Sequence, residues 1–324
     1  MEVEIFMSQW SRLQSVSKTA LFVLLFSGLA LPQFSQAAAE TEEEDEGRGD
    51  LVLNGDAICT RCHDEYEYYP VLSIGKTKHG TRADDRTPNC TSCHGDSQAH
   101  LDGSESDDGR PLTEVKYGVK SPTPIPKRNA KCIACHQGGE RIHWQQGSHN
   151  LNDVACTSCH QVHTAHDKVR ERTTQPQVCF TCHKQQRMDA MKFSSHPLED
   201  GKVVCSDCHN AHGSAGVKEL VRDTVVDTCY QCHAEKRGPF IWSHEPVNED
   251  CSFCHNSHGS NIAGMLKTRM PMLCQNCHEG DVHRGLPPDE NSRFTTGRAC
   301  ANCHTNIHGS NSPSGAVGAR SLQR

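Results

Sequence analysis

The cysteines of this chain are confined to a single motif. All 20 cysteines among the 324 residues lie in ten copies of the pentad C-x-x-C-H, and none is left over. C-x-x-C-H is the attachment motif of c-type haem, in which both cysteines form thioether bonds to the porphyrin and the histidine binds the iron. A chain that carries ten such groups has to fold around them.

Three other uses of paired cysteines explain the pattern less well. Structural zinc sites combine two C-x-x-C pairs but do not require a histidine directly after each second cysteine. Disulfides suit a secreted chain but give no reason for the ten histidines. Thioredoxin-like C-x-x-C motifs occur singly, in a βαβ setting. We therefore predict that the cofactors are ten covalently bound c-type haems, each with its iron.

The pentads directly define two groups of predicted haem-binding residues. The thioether cysteines are Cys59, Cys62, Cys90, Cys93, Cys132, Cys135, Cys156, Cys159, Cys179, Cys182, Cys205, Cys208, Cys229, Cys232, Cys251, Cys254, Cys274, Cys277, Cys300 and Cys303. The proximal iron ligands are His63, His94, His136, His160, His183, His209, His233, His255, His278 and His304.

The sixth iron ligand has to come from outside the pentads. The chain has 22 histidines, of which twelve lie outside the pentads, but only 7 methionines, so bis-histidine ligation is favoured. The predicted distal ligands are His79, His100, His149, His163, His196, His212, His244, His258, His283 and His308.

Two histidines outside the pentads are expected to be spare. These are His143 and His166, because their neighbours fit the repeated positions better. His212 is not expected to bind the same iron as His209, since trans ligands approach from opposite faces and a three-residue link does not pass round the porphyrin edge. We expect His212 to serve a neighbouring haem, so that ligation is interleaved. The sequence leaves open which distal histidine serves which haem.

The composition predicts a chain with little core of its own. Hydrophobic residues make up 35% and aromatic residues 5%, both low for a globular domain. No long alternating pattern indicates β-strands, and short helices are expected over 178–187 and 227–236. We predict the fold class of a multihaem cytochrome c: mostly irregular coil with short α-helices and little or no β-structure, forming an elongated haem wire.

The chain divides into segments by composition and by internal repeat. Residues 1–37 have the basic and apolar regions of a cleaved signal peptide, and 38–54 form an acidic leader expected to be disordered. Residues 55–183 and 184–310 form two pentahaem halves, followed by a flexible tail, 311–324. From Cys156 the pentads recur every 22–26 residues. Pentads followed closely by a second histidine alternate with pentads followed by polar or basic residues, which indicates a two-haem module. The net charge of −7 gives no support for nucleic-acid binding.

Several segments resemble a known family. "VACTSCHQVH" (154–163), "SSHPLEDGKVVCSDCHNAHGS" (194–214), "DTCYQCHAEKRGP" (227–239), "GMLKTR" (264–269) and "CHTNIHGSNSPSG" (303–315) are similar to the periplasmic decahaem c-type cytochromes of the MtrA/MtoA/DmsE family. The resemblance covers about 55–315 and is strongest after Cys156. It implies a periplasmic protein inserted in an outer-membrane β-barrel porin. The implied partners are that porin, a surface multihaem cytochrome, and periplasmic or inner-membrane cytochromes as electron donors or acceptors.

These observations predict an electron-transfer protein rather than an enzyme. The leading hypothesis is a conduit between periplasmic carriers and the cell exterior, serving iron reduction or iron oxidation. The alternative is a soluble periplasmic electron shuttle or store. A multihaem reductase is less favoured, because such enzymes need an open iron position, often marked by a deviant motif such as C-x-x-C-K, and all ten motifs here end in histidine. The direction of electron flow stays open.

Overall fold

The computed structural model describes residues 56–81, 84, 86–103, 109–278, 299–302 and 304–312. All of these fall within one compact unit, Asp45–Arg324. The predicted signal peptide, the acidic leader and the tail from residue 313 onward lie outside the described residues. In the described ranges we find no helix with the length and apolar character needed to cross a membrane.

Short helices separated by irregular chain make up the fold. The α-helices are α1 Ala57–Thr60, α2 Cys90–His94, α3 Gln98–Asp102, α4 Ile125–Ile133, α5 Ser148–Leu151, α6 Gln175–Cys179, α7 Lys184–Ala190, α8 Cys205–Cys208, α9 Val225–Tyr230, α10 Glu245–Glu249 and α11 Met272–Gln275. A six-residue 3₁₀-helix lies at Val71–Lys76. Single 3₁₀ turns lie at Gly139–Arg141, Trp144–Gln146, Cys156–Ser158, Val217–Glu219, Ala234–Lys236, Cys251–Phe253, Ala263–Met265 and Cys300–Asn302.

Extended pairing in the described ranges is limited to isolated bridges. They join Ser194 to Ser260, His209 to Leu220, Trp242 to Ser310, and His255 to Leu266. The predicted fold class, mostly coil with short helices and little β-structure, is confirmed for the part of the chain that the structure describes.

Each pentad forms one tight helical turn. In nine pentads the backbone N–H of the histidine donates to the carbonyl oxygen of the first cysteine, four residues earlier, at 2.9–3.1 Å. The second pentad lies wholly within α2. Residues i, i+3 and i+4 share one face of such a turn, so both cysteines and the histidine can address one porphyrin. This is the physical reason for the spacing.

Short helices form in both segments where they were expected, 178–187 and 227–236, but each segment is interrupted at its pentad histidine. Helix α6 ends at Cys179 and α7 begins at Lys184, because His183 between them has ψ +67°. The second segment breaks in the same way at His233, with ψ +47°. The pentad histidine leaves helical geometry in both cases, so a pentad ends a helix rather than extending one.

The polypeptide buries few apolar side chains. Those buried among the described residues are Leu72, Val115, Trp144, Ala155, Phe180, Val204, Leu220 and Val226. They are spread along the sequence from Leu72 to Val226. This distribution agrees with the low hydrophobic content, and it means that the peptide alone has little apolar surface to hold its shape.

The repeated strings "CSDCHNAHGS" and "CSFCHNSHGS" fold into the same loop. After each pentad the chain turns through a residue with positive φ and returns to bridge its own histidine. Ser214 Oγ donates to the carbonyl oxygen of Leu220 at 2.7 Å, and Ser260 Oγ to that of Leu266 at 2.6 Å. The two loops are therefore one structural unit used twice.

Candidate haem-binding sites

The cysteines of successive pentads approach one another in an alternating order. First cysteines meet within hydrogen-bonding range in five pairs, which are Cys59–Cys90, Cys132–Cys156, Cys179–Cys205, Cys229–Cys251 and Cys274–Cys300. Second cysteines are electrostatic neighbours in the intervening steps, at Cys93–Cys135, Cys159–Cys182, Cys208–Cys232 and Cys254–Cys277. Every pentad thus adjoins the next one, first through one cysteine and then through the other.

Among the described residues, imidazole rings are brought together in nine pairs. Their ring centroids are 5.7–6.4 Å apart, and each pair unites one pentad histidine with one histidine from elsewhere. The pairs are His63–His100, His94–His163, His136–His79, His160–His212, His183–His149, His209–His258, His233–His196, His255–His308 and His278–His244.

This spacing suits a metal ion held between the two rings. A metal–imidazole bond is about 2.0 Å long, so two trans imidazoles on one ion have ring centres about 6 Å apart. The observed separations match that figure, and the two cysteines of each pentad lie beside the pair. The residues therefore fit a bis-histidine haem bound through two thioethers.

The pairing interleaves distant parts of the chain. In the second, fourth, sixth and eighth pentads, the histidine pairs with the histidine that follows the pentad two places further along, as His160 does with His212. From the third pentad on, an odd-numbered pentad pairs with the histidine that lies before the preceding pentad, as His183 does with His149. His209 faces His258 and not His212, which is the interleaved arrangement expected from the sequence. The ligand roles themselves stay a prediction.

Some predicted residues are placed elsewhere or are not described. His283 and Cys303 lie outside the described residues. Neither His143 nor His166, both expected to be spare, takes part in a ring pair of the described ranges; the Nδ1 atom of His166 lies 3.0 Å from the carboxylate of Glu171.

In six of the eighteen paired rings, the outer nitrogen lies against a backbone carbonyl oxygen. The Nδ1 atoms lie 2.6–3.1 Å from the carbonyl oxygens of Val115, Pro111, Ala211, Ser257, Lys218 and Gly264, on His94, His100, His149, His196, His209 and His255 respectively. A ring that donates from Nδ1 to a carbonyl oxygen presents Nε2 unprotonated, which is the tautomer a metal needs. Burial lowers the pKa of His94 and of His163, and so favours the neutral imidazole in that pair.

Comparison with curated proteins assigns this arrangement to a family. "Multiheme cytochrome MtrA" of Shewanella baltica is 42% identical over 282 residues, which is 83% of this chain and 82% of that protein. This chain belongs to the MtrA family of multihaem cytochromes. The resemblance seen in the sequence is thereby confirmed.

Three further matches are consistent with this MtrA-family cytochrome binding several haems. The doubled CXXCH motif family matches residues 196–238 and 244–283, and the NrfB-like family of cytochrome c-type proteins matches 90–175. "Cytochrome c-type protein Cgr1" of Eggerthella lenta is 26% identical over 131 residues, 34% of this chain and 50% of that protein. The MtrA-family cytochrome is accordingly an electron-transfer protein that binds c-type haem, and not an enzyme.

Sequence reasoning missed the polar residues that support the haem-binding turns of this MtrA-family cytochrome. Asn129, three residues before the third pentad, is buried. Its Oδ1 accepts from the N–H of Cys156 at 2.9 Å and its Nδ2 donates to the carbonyl oxygen of Val154 at 3.0 Å. Asp56 holds the same place before the first pentad and accepts from the N–H of Cys90 at 2.8 Å. Asn129 and Asp56 each lie three residues before a pentad, and this shared position could have identified them from the sequence.

Replacing Asn129 with alanine is expected to destabilise the holoprotein by about 2–3 kcal/mol, because it leaves two buried backbone groups without partners. Asn129→Asp should cost less, since it keeps the acceptor for Cys156. The matched control is Asn152→Ala, which removes an amide that bonds only within its own exposed turn and should change stability by about 0.5 kcal/mol or less. If chemical denaturation gave equal losses in the free energy of unfolding for Asn129→Ala and Asn152→Ala, the hydrogen bonds of Asn129 would not be what stabilises these turns.

Proposed function

We propose that this cytochrome is an electron conduit between periplasmic carriers and the cell exterior, enclosed by a β-barrel porin in the outer membrane. The observation that supports the proposal is the succession of ring pairs at the first nine pentads, all within the described residues, with each pentad adjoining the next through its cysteines. Ten bis-histidine c-type haems, one per pentad, would form a continuous file. We also propose the division of the chain that the sequence predicts. It comprises a cleaved signal peptide (1–37), an acidic leader (38–54), two pentahaem halves (55–183 and 184–310) and a flexible tail (311–324).

The membrane makes an enclosing partner necessary for such a role. The hydrocarbon core is about 30 Å thick, and irregular backbone facing lipid leaves peptide groups without hydrogen bonds. A closed barrel satisfies its own backbone and offers a polar interior. We infer that a porin surrounds the chain, that periplasmic or inner-membrane cytochromes exchange electrons at one end, and that a surface multihaem cytochrome does so at the other. Iron reduction and iron oxidation use the same file in opposite directions.

Tagged holoprotein purified from solubilised outer membranes tests the proposal. We expect an outer-membrane β-barrel protein to copurify. Vesicles containing the complex and an internal, oxidised viologen dye should then turn blue when dithionite is added outside, because electrons cross through the haem file and reduce the dye. Recovery of all the holoprotein in the soluble periplasmic fraction, with no transfer through vesicles, would favour the soluble shuttle or store instead.

Removing one distal ligand is expected to open one iron position. His212→Ala should convert one ferric haem from low spin to high spin, because the ring 6.0 Å from His160 is lost. Electron paramagnetic resonance of the oxidised holoprotein reports this directly. His143→Ala serves as the control, since His143 is predicted to bind no iron. An all-low-spin His212→Ala spectrum, or a high-spin signal in His143→Ala, would contradict the assignment.

A further inference from the structure

One pentad histidine differs from its structural equivalents in what its outer nitrogen contacts. In three even-numbered pentads the histidine Nδ1 lies against a backbone carbonyl oxygen, as in His94, His209 and His255. In the fourth pentad, His160 Nδ1 instead lies 2.7 Å from Oδ2 of Asp167, a carboxylate oxygen. The repeated modules can therefore be compared with one another. The pentad histidine faces a neutral carbonyl oxygen in three modules and an anionic carboxylate oxygen in one.

Asp167 is fixed by its surroundings. Its side chain is only 16% exposed, and its other oxygen accepts a hydrogen bond from the backbone N–H of Gln161 at 3.2 Å. Donors on both oxygens leave the carboxylate aimed at His160. A partly buried, charge-assisted hydrogen bond of this kind is stronger than one to a neutral carbonyl.

The opposite ligand of the same pair has no such contact. His212 lies opposite His160 with 9° between the ring planes, and its Nδ1 is buried without a hydrogen-bond partner among the described residues. Any electronic influence that reaches this pair through an Nδ1 hydrogen bond therefore comes from the Asp167 side.

We propose that Asp167 is a positioning residue that gives His160 imidazolate character and lowers the reduction potential of the haem iron that His160 binds. The proposal rests on the ligand pair inferred above. A carboxylate that accepts the Nδ1 proton in a short hydrogen bond makes the imidazole a stronger electron donor. A stronger donor stabilises ferric over ferrous iron, so the one-electron reduction of this iron is harder than in the modules with carbonyl acceptors. The proton stays shared between Nδ1 and Oδ2, and no bond is broken.

Two other carboxylates lie near pentad histidines, and they show which geometry the proposed effect on the reduction potential requires. Glu67 Oε1 is 2.6 Å from His63 Nδ1, but both side chains are 42% exposed, so water screens the pair and a weaker influence follows. Glu235 Oε1 is 3.7 Å from His233 Nδ1, beyond hydrogen-bonding distance. Glu235 therefore offers a matched control, the same charge beside a pentad histidine without the hydrogen bond.

The test is Asp167→Asn in the intact holoprotein, which keeps the shape and removes the charge. In a spectropotentiometric titration we expect one reduction step to move to higher potential. In electron paramagnetic resonance, one low-spin ferric signal should shift from imidazolate-like toward neutral-imidazole values. Glu235→Gln should change neither reading, and Glu67→Gln should give a smaller shift of a different step.

Three results would overturn the proposal. They are unchanged titration and spectra in Asp167→Asn, an equal shift in Glu235→Gln, and a high-spin signal in Asp167→Asn. The second would mean that net charge alone acts, and the third that Asp167 only holds the ring in place. None of these readings depends on a membrane, so they are distinguishable from a failure of the conduit proposal, which the vesicle assay reports.

Discussion

A chain made without haem attachment is expected to lack a cooperative fold. The apolar side chains that the described residues bury are few and scattered, from Leu72 to Val226. The longest α-helix among them, Ile125–Ile133, has 9 residues. Isolated helices shorter than about 12–15 residues are marginal in water, so the helices do not hold themselves together. The free energy that holds the fold has to come from the porphyrins and the iron–imidazole bonds, as it comes from the ion in small metal domains.

The measurement is circular dichroism with thermal denaturation on protein expressed in a strain that cannot attach c-type haem, beside the holoprotein. We expect a coil spectrum and no sigmoidal transition in the first, and a transition in the second. Reducing conditions are needed in both, so that the free thiols do not form disulfides in the apoprotein. A cooperative transition in the haem-free chain would show that the polypeptide has a sufficient core of its own.

Much of the fold follows from one five-residue motif, because the motif dictates local geometry. The turn that places Cys205, Cys208 and His209 on one face needs only i, i+3 and i+4 spacing, and the sequence shows it. The coil-rich class follows from a low apolar content. What the motif does to its flanks was less evident. The breaks at His183 and His233 accompany the non-helical ψ angles of these two histidines, and helix propensity does not predict them.

The pairing of rings was the part of the site that the sequence left open. His160 and His212 are 52 residues apart, and the sequence around either histidine contains no motif that predicts their pairing. Interleaving was expected on steric grounds, but its register depends on how the turns stack. The supporting contacts are equally distant in sequence: Cys156 needs Asn129, and His149 needs the carbonyl oxygen of Ala211. Such contacts join surfaces that exist only after folding.

The interleaved pairing of the histidine rings links the position of one ring to that of another. His149 hydrogen-bonds to the carbonyl oxygen of the residue directly before His212, and His196 bonds in the same way directly before His258. Each segment that supplies a ring to one pair therefore also fixes the ring of another pair. A repeat protein in which units contact only their neighbours gains stability from the interfaces. Here those interfaces carry the proposed ligands as well, so packing errors are expected to appear as changes of spin state.

Gly259→Ala is expected to be the most disruptive single methyl addition in this loop. Gly259 follows His258 and has φ +131°, a conformation that L-residues rarely adopt. A Cβ there would overlap the backbone carbonyl oxygen of Asp189 and approach the side chain of Ser195 at 3.3 Å. The strain of about 1–3 kcal/mol from the backbone adds to a similar cost from the overlap, giving a loss of about 3–5 kcal/mol.

Gly118→Ala separates these two costs. Gly118 has φ +116°, close to that of Gly259, but nothing lies within 4 Å of a Cβ built on it, so only the backbone strain remains. In thermal denaturation of the two holoproteins we expect the larger drop for Gly259→Ala. That variant alone should also show a high-spin signal, because His258 is pushed away from His209. Equal drops and two low-spin spectra would mean that the close approach of Gly259 to Asp189 does not position the distal ring.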